Sequence, residues 1–449
     1  MKMKYSRRDF LNAGAGIGTG LALGRINVSG RTNPLKSVTS QIKAAPIDPV
    51  RVGFVGVGGQ GSSHVRNYLN IEGVEVRAIC DIVESKVARM QERVVKAGQP
   101  KPAGYSRGET DFRRMCAQED LDLVFTATSW EWHVPVCLEA MKTGKHAAVE
   151  VPAAVTLDEC WELVETAEKT GKYCIMMENC CYMDFEMMVL NMARKGLLGE
   201  LLHGEAGYMH DLRSLKLGDR GEGLWRGAHS AKRNGNLYPT HGLGPIAESM
   251  NINRGDRFDY LVSTSSNARG LNLYAKENLS PDNPKSKLNY INGDINSCLI
   301  QTVNGLTIIV QHNCDSPRPY SRINILQGTN GITQGYPEPL VYIEGKSSRH
   351  RWEPAKIYME EFRHPLLKTI GEKARNAGHG GADYIEDYRF VQALRNGTQP
   401  DMDVYDAAAW SVVTELSERS AANRSRTMDF PDFTKGKWKT NKPIFVTDM

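Results

Sequence analysis

One stretch decides the fold of this chain: Val50-Arg51-Val52-Gly53-Phe54-Val55-Gly56-Val57-Gly58-Gly59-Gln60-Gly61. An apolar, β-branched run, typical of a buried strand, leads directly into the spacing Gly-x-Gly-x-x-Gly. The residues from Ser62 to Tyr68 are predicted as helix. Asp81 closes a second strand-like run, twenty residues after Gly61. Strand, glycine turn, helix and acid together predict a dinucleotide-binding unit, whereas an isolated glycine motif would be compatible with a turn in an empty α/β sheet.

Each part of this unit has a physical reason. Gly56 allows the tight turn, Gly58 lets the backbone approach a pyrophosphate, and Gly61 lets the helix pack on the strand. The pyrophosphate is expected on the helix N-terminus, where unpaired N–H groups and the helix dipole favour an anion. Asp81 is expected to bind the ribose hydroxyls. Because its negative charge repels a 2′-phosphate, the sequence favours NAD over NADP.

The charge of the chain is unevenly distributed. Residues 1–45 contain eight Lys or Arg and one acidic residue, so the other residues carry a formal charge of −3 although the whole chain of 449 residues is +4. A nucleic-acid-binding protein would show its basic residues as a patch on a folded domain. We therefore expect no nucleic-acid partner.

The first residues resemble an export signal. Ser6-Arg7-Arg8-Asp9-Phe10-Leu11 is similar to the twin-arginine motif and precedes a Gly-rich, mildly apolar run from Asn12 to Leu23. That run is too short and too rich in glycine to span a bilayer, so stable membrane insertion is not expected. The prediction is export to the periplasm or beyond; a merely basic N-terminus is the alternative.

The nine cysteines lie mostly among apolar residues of predicted strands and helices. Buried free thiols are the expected outcome, and a disulfide framework is improbable. Since no His/Cys spacing matches a zinc site, no metal is predicted.

The chain divides into three parts. Residues 1–45 are predicted to hold the signal and a linker, 46–178 an NAD-binding Rossmann domain, and 179–449 a substrate-binding domain. The α/β class follows from strands that alternate with helices, a pattern that forces a doubly wound parallel sheet. The predicted strands are Val50–Val55, Val74–Cys80, Leu123–Thr126, His146–Val149 and Tyr173–Met177, and one connecting helix is Leu157–Lys169.

After about Asn179 the pattern becomes that of an α+β domain with an open, mostly antiparallel sheet. Asn304-Gly305 between two strand-like runs is a strong hairpin signal. The polar, turn-rich region 267–292 is predicted as a long surface loop. The predicted elements are helices at Asp184–Lys195, Gly380–Asn396 and Val404–Ala422, and strands at Leu202–Met209, Tyr260–Ser265, Cys298–Val303, Leu306–His312 and Arg322–Gly328.

A few residues of the second domain can carry chemistry. His241 follows Tyr238-Pro239-Thr240 before a helix, and an imidazole there suits a general base, although a helix cap or a buried structural histidine is equally compatible. Tyr320 and Tyr208 are each compatible with a catalytic phenol or with packing. Arg226 can bind sugar hydroxyls beside a stacking Trp225, or form a plain surface ion pair.

This architecture resembles the glucose-fructose oxidoreductases and inositol dehydrogenases. Those enzymes carry Glu-Lys-Pro at the end of the fifth strand, whereas this chain has Glu150-Val151-Pro152. A valine cannot transfer a proton. The substitution argues against an ordinary sugar dehydrogenase.

Almost the whole chain resembles glycoside hydrolase family 109, the NAD-dependent α-N-acetylgalactosaminidases. The resemblance rests on Gly-Gly-Gln-Gly at 58–61, Glu178-Asn179-Cys180-Cys181-Tyr182, Tyr208-Met209-His210-Asp211-Leu212-Arg213, Trp225-Arg226, Arg233-Asn234-Gly235-Asn236-Leu237-Tyr238-Pro239-Thr240-His241, Asn253-Arg254-Gly255, Arg318-Pro319-Tyr320 and Gly378-His379-Gly380-Gly381.

The resemblance implies two sets of site residues. His241 and Tyr320 would be the acid/base pair. The residues implied to contact NAD are Gly59, Gln60, Asp81, Trp130, His133, Glu150, Val151 and Asn179, and those implied to line the sugar site are Tyr208, Arg226, Tyr238, His241 and Tyr320.

The implied activity is that of an exo-glycosidase releasing terminal α-linked N-acetylgalactosamine. The sugar would be oxidised at C3, eliminated, hydrated and reduced again on the same bound NAD. Two alternatives remain: an NAD-dependent sugar or inositol dehydrogenase that releases NADH, and a non-catalytic sugar-sensing protein. A homo-oligomer is compatible with an open sheet face.

Overall fold

This computed structural model describes residues 42–375 and 377–443. The twin-arginine stretch therefore lies outside the described residues. The first sheet comprises β1 (Val50–Val55), β2 (Val74–Cys80), β3 (Ala103–Tyr105), β4 (Leu123–Thr126), β5 (His146–Val149) and β6 (Cys174–Met176). Its strand order is β3-β2-β1-β4-β5-β6 and every pairing is parallel, which confirms the doubly wound prediction.

The connecting helices of this half are amphipathic or buried. They are α1 (Gly59–Tyr68), α2 (Glu84–Lys96), α3 (Asp111–Gln118), α4 (Trp130–Lys142) and α5 (Leu157–Thr170). The glycine turn lies between β1 and α1, where the strand order reverses and ligands bind in open α/β sheets. The sequence missed β3, because its three residues Ala-Gly-Tyr include none that is β-branched.

The second sheet has nine strands: β7 (Leu201–Met209), β8 (Phe258–Ser265), β9 (Asn296–Thr302), β10 (Thr307–Asn313), β11 (Ile325–Gly328), β12 (Gly331–Gln334), β13 (Leu340–Ile343), β14 (Glu353–Pro354) and β15 (Met428–Asp429). The order is β14-β13-β12-β11-β7-β10-β9-β8-β15. All pairings are antiparallel except that of β7 with β10. The prediction of a mostly antiparallel sheet is confirmed, and Asn304-Gly305 forms the hairpin between β9 and β10.

The helices of this half are α6 (Asp184–Arg194), α7 (Arg213–Leu217), α8 (Arg226–Lys232), α9 (Thr240–Ser249), α10 (Gly270–Asn278), α11 (Lys356–Phe362), α12 (Pro365–Ala374), α13 (Ala382–Asn396), α14 (Val404–Ser411) and α15 (Val413–Ala422). Short 3₁₀ turns occur at Asn179–Tyr182, Gly221–Leu224, Pro284–Lys287, Gly378–Gly381 and Lys437–Lys439. The helix predicted over 404–422 is thus two consecutive helices.

The predicted long loop at 267–292 is wrong. That region contains α10 and the 3₁₀ turn at 284–287. The carboxylate of Asp294 accepts the backbone N–H groups of Arg269 and Gly270, which caps the helix start. Leu271 and Ala275 are buried in a small apolar cluster with Tyr290. Both stabilising features come from outside the helix, so the local sequence did not reveal them.

The strand predicted at 322–328 begins three residues later. Ile323 and Asn324 have φ of +63° and +53°, a left-handed conformation that a strand cannot continue through. All nine cysteines are free and eight are buried, as predicted. Within the described part of the chain, no helix has both the length and the apolar character needed to cross a membrane.

Candidate active site

The glycine turn combines two tightly packed and two open positions. A Cβ added to Gly61 would lie 1.9 Å from the carbonyl oxygen of Gly56, so the turn and α1 can only meet without a side chain there. A Cβ added to Gly58 or Gly59 would meet nothing within 4 Å. No side chain caps α1. This open, uncapped helix N-terminus fits the pyrophosphate of NAD.

Asp81 lies at the end of β2, directly beside this turn. Its Oδ2 accepts the backbone N–H of Val57 at 2.9 Å and its Oδ1 accepts that of Val83 at 2.9 Å. A carboxylate offers about four lone-pair sites. Asp81 can therefore hold the turn and still accept ribose hydroxyls, as the sequence predicts.

Glu150 is held by a buried histidine of α1. Nε2 of His64 lies 2.9 Å from Oε1 of Glu150, and Nδ1 lies 2.9 Å from both oxygens of Asp387 on α13. Burial alone would lower the pKa of His64, but Asp387 and Glu150 raise it well above its usual range. His64 is then an imidazolium that donates to both carboxylates and fixes Glu150 in place.

Val151 and His133 are almost completely buried, although both are expected to contact NAD. Val151 is 4% exposed and donates its N–H to Oε2 of Glu150. His133 is 1% exposed, and its two ring nitrogens face the carbonyl oxygens of Pro152 and Thr128 at 2.8 and 3.2 Å. In this arrangement His133 links the two loops that follow β4 and β5. Its expected contact with NAD stays a prediction.

Two more of the expected NAD contacts meet at one carboxylate. Asp383, at the start of α13, accepts the side-chain amides of Asn179 at 2.7 Å and Gln60 at 3.3 Å. Trp130, the first residue of α4, lies elsewhere, in an aromatic cluster described below. The structure thus places the predicted NAD residues along the carboxyl edge of the parallel sheet.

His241 is the second residue of α9. A Cβ added to the next residue, Gly242, would lie 2.3 Å from the backbone nitrogen of Gly207, so α9 and β7 approach closely. That contact brings the His241 ring to 5.4 Å from the ring of Tyr208 on β7. The side chain of His241 is 13% exposed, so it is neither a solvent-exposed cap nor fully enclosed.

The imidazole of His241 is oriented by a carboxylate from the other domain. Its Nδ1 lies 2.6 Å from Oε1 of Glu178, which follows β6 and is completely buried. Burial would raise the pKa of Glu178, but the charge of His241 and the hydrogen bond from it lower the pKa below its usual range. An ionised Glu178 can only accept, so Nδ1 carries the proton. When the ring carries only this proton, Nε2 has a lone pair that can accept another.

Tyr208 is the centre of the predicted sugar residues. Its ring centroid lies 4.7 Å from that of Tyr238, 5.4 Å from His241 and 6.1 Å from Tyr320. Its hydroxyl also lies 3.1 Å from Nδ1 of His210. These residues are separated in sequence by as much as 112 positions, and the fold brings them together in one cluster.

Arg226 extends this cluster. The sequence also allowed a plain ion pair at the surface, but the side chain of Arg226 is buried. It is 6% exposed and forms an ion pair with Glu222. Its guanidinium lies 4.6 Å from the ring centre of Tyr238 and 5.3 Å from that of Trp130. A cation held over two aromatic faces keeps its remaining N–H groups oriented.

Tyr320 is the most exposed aromatic residue of the cluster, at 40%. Its hydroxyl accepts a hydrogen bond of 3.0 Å from Arg322, which is also paired with buried Glu186. Burial raises the pKa of Tyr320, and it does the same for Tyr208 and Tyr238. All three phenols stay protonated near neutral pH and can therefore donate a hydrogen bond or a proton.

Glu178, His64 and Asp387 had no predicted role. Glu178 belongs to the motif Glu178-Asn179-Cys180-Cys181-Tyr182, and its position just after a sheet strand could have indicated a role in the site. The partners of His64 become visible only in the fold.

Candidate ligand atoms of Glu178, Cys180 and His241 lie within 4.8 Å of one another. Burial raises the pKa of the Cys180 thiol well above its usual range, which opposes the thiolate that a metal requires. That no metal is needed stays a prediction.

Comparison with known proteins supports the assignment of both domains. Residues 182–440 match the family model described as glycosyl hydrolase 109, C-terminal domain, and residues 50–178 match that of the oxidoreductase family, NAD-binding Rossmann fold. The chain is 49% identical over 452 residues to glycosyl hydrolase family 109 proteins from Shewanella putrefaciens and Shewanella baltica. Each match covers 98% of both chains.

Solved structures share the fold. A levoglucosan dehydrogenase in complex with NADH has a TM-score of 0.66 at 18% identity, covering 85% of this chain and 99% of that one. An inositol dehydrogenase homolog with NAD⁺ from Azotobacter vinelandii has a TM-score of 0.61 at 17% identity, covering 87% and 100%. The glycine turn, Asp81 and these matches identify NAD as the cofactor. With matches over both domains and nearly its full length, the chain belongs to glycoside hydrolase family 109 and is a glycosidase with an NAD-binding Rossmann domain.

Proposed function

We propose that this glycosidase releases terminal α-linked N-acetylgalactosamine from glycans by oxidation at C3, elimination, addition of water and re-reduction. The observation that carries the mechanism is the Glu178–His241 pair, which leaves a basic nitrogen beside protonated phenols. The choice of sugar rests on the family resemblance. Most glycosidases instead place two carboxylates on either side of the scissile bond.

Held by the glycine turn and Asp81, NAD⁺ would supply hydride chemistry: the hydride of C3 would pass to it while water takes the proton of the C3 hydroxyl, and both would return at the end of the cycle. The C3 carbonyl then acidifies the hydrogen at C2. Nε2 of His241 removes that proton while the bond from C1 to the aglycone oxygen breaks. The departing oxygen takes a proton from the hydroxyl of Tyr320, which water resupplies. Water adds its oxygen to C1. The proton on His241 exchanges with solvent, and C2 then regains a solvent-derived proton from this imidazole.

The other residues of the cluster bind and orient the sugar. Arg226 donates to ring hydroxyls, and the hydroxyls of Tyr208 and Tyr238 donate to sugar oxygens. Burial of all three side chains excludes water and strengthens these hydrogen bonds. Val151 leaves no lysine to act as the base at this strand end, which favours the role of His241.

The test is hydrolysis of chromogenic aryl glycosides in heavy water, with the absorbance of reduced nicotinamide followed throughout. The proposal requires one deuterium at C2 of the released sugar and no accumulation of free NADH. Sugar released without deuterium at C2 would exclude the elimination. NADH that accumulates in proportion to substrate would show that the protein is a dehydrogenase. Sugar binding without turnover would show that it is a sugar-sensing protein. A panel of α- and β-linked N-acetylgalactosamine, N-acetylglucosamine and galactose tests the choice of sugar.

Export by the twin-arginine route is part of the proposal. Such export carries folded proteins, so NAD can be bound before translocation and kept afterwards. Replacing Arg7 and Arg8 with lysine should leave the enzyme in the cytoplasm, as measured by cell fractionation. Equal export of the variant would contradict this part and leave the chemistry untouched.

A further inference from the structure

His64 of α1 joins the two domains through both nitrogens of its ring. Nδ1 lies 2.9 Å from both carboxylate oxygens of Asp387, which belongs to α13 of the substrate-binding domain. Nε2 lies 2.9 Å from Oε1 of Glu150, which follows β5 of the NAD-binding domain. The side chains of His64 and Asp387 are completely buried, whereas that of Glu150 is 15% exposed. One ring thus connects a carboxylate that no ligand can reach to a carboxylate that is expected to contact NAD.

The ring of His64 is held in one orientation. It packs against the ring of Phe125 on β4, with 4.4 Å between the ring centres and 34° between the planes. Asp387 is itself held by the side-chain amide of Asn67, which donates to its Oδ2 at 2.9 Å. Asn67 lies three residues after His64 on α1, so both side chains face the same neighbour. The position of α13 therefore fixes the direction of Nε2 of His64.

The hydrogen bonds of His64 have a fixed direction. Burial raises the pKa of Asp387 to about 6, although the charge of His64 and the hydrogen bonds from His64 and Asn67 lower it, so Asp387 is ionised at neutral pH. Burial also raises the pKa of neighbouring Glu386 well above its usual range, which keeps that carboxyl group neutral. The imidazolium of His64 has no acceptor, so it donates to Asp387 and to Glu150.

Glu150 keeps room for a ligand. Its Oε1 accepts from His64, and its Oε2 accepts the backbone N–H of Val151 at 3.1 Å. Since a carboxylate offers about four lone-pair sites, about two remain for donors such as the hydroxyl and amide groups of NAD. We infer that Asp387 and His64 are positioning residues for NAD: Asp387 fixes His64, and His64 holds Glu150 where it accepts a hydrogen bond from the cofactor.

This Asp387–His64–Glu150 relay gives the substrate-binding domain a part in NAD binding. Asp387 cannot touch NAD because its side chain is completely buried, so any effect of Asp387 on NAD has to pass through other residues. The inference rests on NAD as the cofactor and is independent of which sugar is cleaved and by which mechanism. It requires that Asp387 and Glu150 act on NAD as one unit, so the effects of changing them are not additive.

The test follows the loss of NAD from holoenzyme after dilution, without substrate, by separating and quantifying the free NAD at intervals. Asp387→Asn should lose NAD about tenfold faster than the wild type, because a neutral partner no longer holds the imidazolium and its bond to Glu150 weakens. Glu150→Gln should lose NAD about tenfold faster as well. The double variant should lose NAD no faster than Glu150→Gln alone, because the relay then ends in a residue that is already changed.

A milder variant covers the case in which Asp387→Asn does not fold. Asn67→Ala removes only the amide that holds Asp387 and leaves all the charges of the relay in place. It should lose NAD about threefold faster than the wild type. This effect should also vanish when Glu150→Gln is combined with it.

The matched control is Asp401→Asn. Asp401 is also buried and also binds α13, through Arg389 at 2.7 Å, but its other partner is the hydroxyl of Tyr182. This variant should lower the melting temperature and keep NAD like the wild type. Equally fast loss of NAD from Asp401→Asn and Asp387→Asn would overturn the inference, since a loosened α13 would then be sufficient.

Two further results would overturn the relay. One is retention of NAD by Asp387→Asn as in the wild type. The other is an effect of Asp387→Asn that is as large in the Glu150→Gln background as it is alone. Because NAD is counted without substrate, either failure is distinct from failure of the proposed glycosidase mechanism.

Discussion

Nδ1 of His241 and Oε1 of Glu178 lie 2.6 Å apart, although the two residues are 63 positions apart in the chain. Glu178 follows the last strand of the parallel sheet, and His241 starts a helix that packs on the second sheet. The pair thus joins the NAD-binding domain to the aromatic cluster around Tyr208. A base oriented in this way has a fixed tautomer and needs no reorientation before it accepts a proton.

Glu178→Gln should lower kcat by about 10²- to 10⁴-fold, because a glutamine amide can donate to Nδ1 and so stabilise the wrong tautomer of His241. The measurement is steady-state hydrolysis of an aryl glycoside. Glu418→Gln is the control, since Glu418 is a partly buried carboxylate that is paired with Arg233 instead of a histidine. Activity of Glu178→Gln within about threefold of the wild type would remove Glu178 from the mechanism.

Tyr320→Phe should lower kcat by about 10²-fold while folding is preserved, because only one hydroxyl is lost. If that hydroxyl protonates the departing oxygen, the loss should shrink with aglycones that are better leaving groups. Tyr336→Phe is the matched control: the Tyr336 ring lies 6.0 Å from that of Tyr320, and burial raises its pKa to about 12. A loss that is equal for all leaving groups would place Tyr320 at another step.

Arg226→Lys should raise KM by about 10- to 100-fold with a smaller effect on kcat, because lysine cannot keep the planar contacts with Tyr238 and Trp130. The control variant is Arg213→Lys, which should leave KM unchanged. Arg213 also pairs with an acid, Asp211, and lies over an aromatic ring. An unchanged KM for Arg226→Lys would contradict the assignment of Arg226 to sugar binding.

Stability should depend on Glu248. Burial and nearby Asp406 raise the pKa of Glu248 to about 8, against the opposing effect of Arg254. Above the usual pKa of 4.5 an unfolded chain releases this proton while the fold keeps it, so stability falls as the pH rises toward 8. The glutamine of Glu248→Gln is never charged. The loss of stability as the pH rises should therefore be smaller by about 1–3 kcal/mol in this variant.

Thermal melting at about pH 5 and about pH 8.5 measures this effect. Glu75→Gln serves as the control, because the side chain of Glu75 is 40% exposed. If the wild type and Glu248→Gln lost the same amount of stability between the two pH values, Glu248 would not be the protonated group.

Local sequence was sufficient for the first half of the fold apart from the short strand β3. The strands Val50–Val55 and Val74–Cys80 have the predicted bounds, because both are rich in β-branched residues. The region 267–292 was mispredicted because α10 depends on Asp294 and on apolar contacts distant in sequence. A sequence pattern carries information only about residues that are close to one another along the chain.

What the sequence by itself determined is the NAD site: the glycine spacing and Asp81 need only a strand, a turn and a helix, all of which are local. The residues of the sugar cluster were also named in advance, through the resemblance. Only the tertiary structure decided how they act. It pairs His241 with Glu178, places the guanidinium of Arg226 against the rings of Tyr238 and Trp130, and joins His379 to Gln60 through Asp383. Each of these contacts crosses between elements that the chain order separates, so hydrogen-bond partners and burial emerge only when the sheets and helices pack.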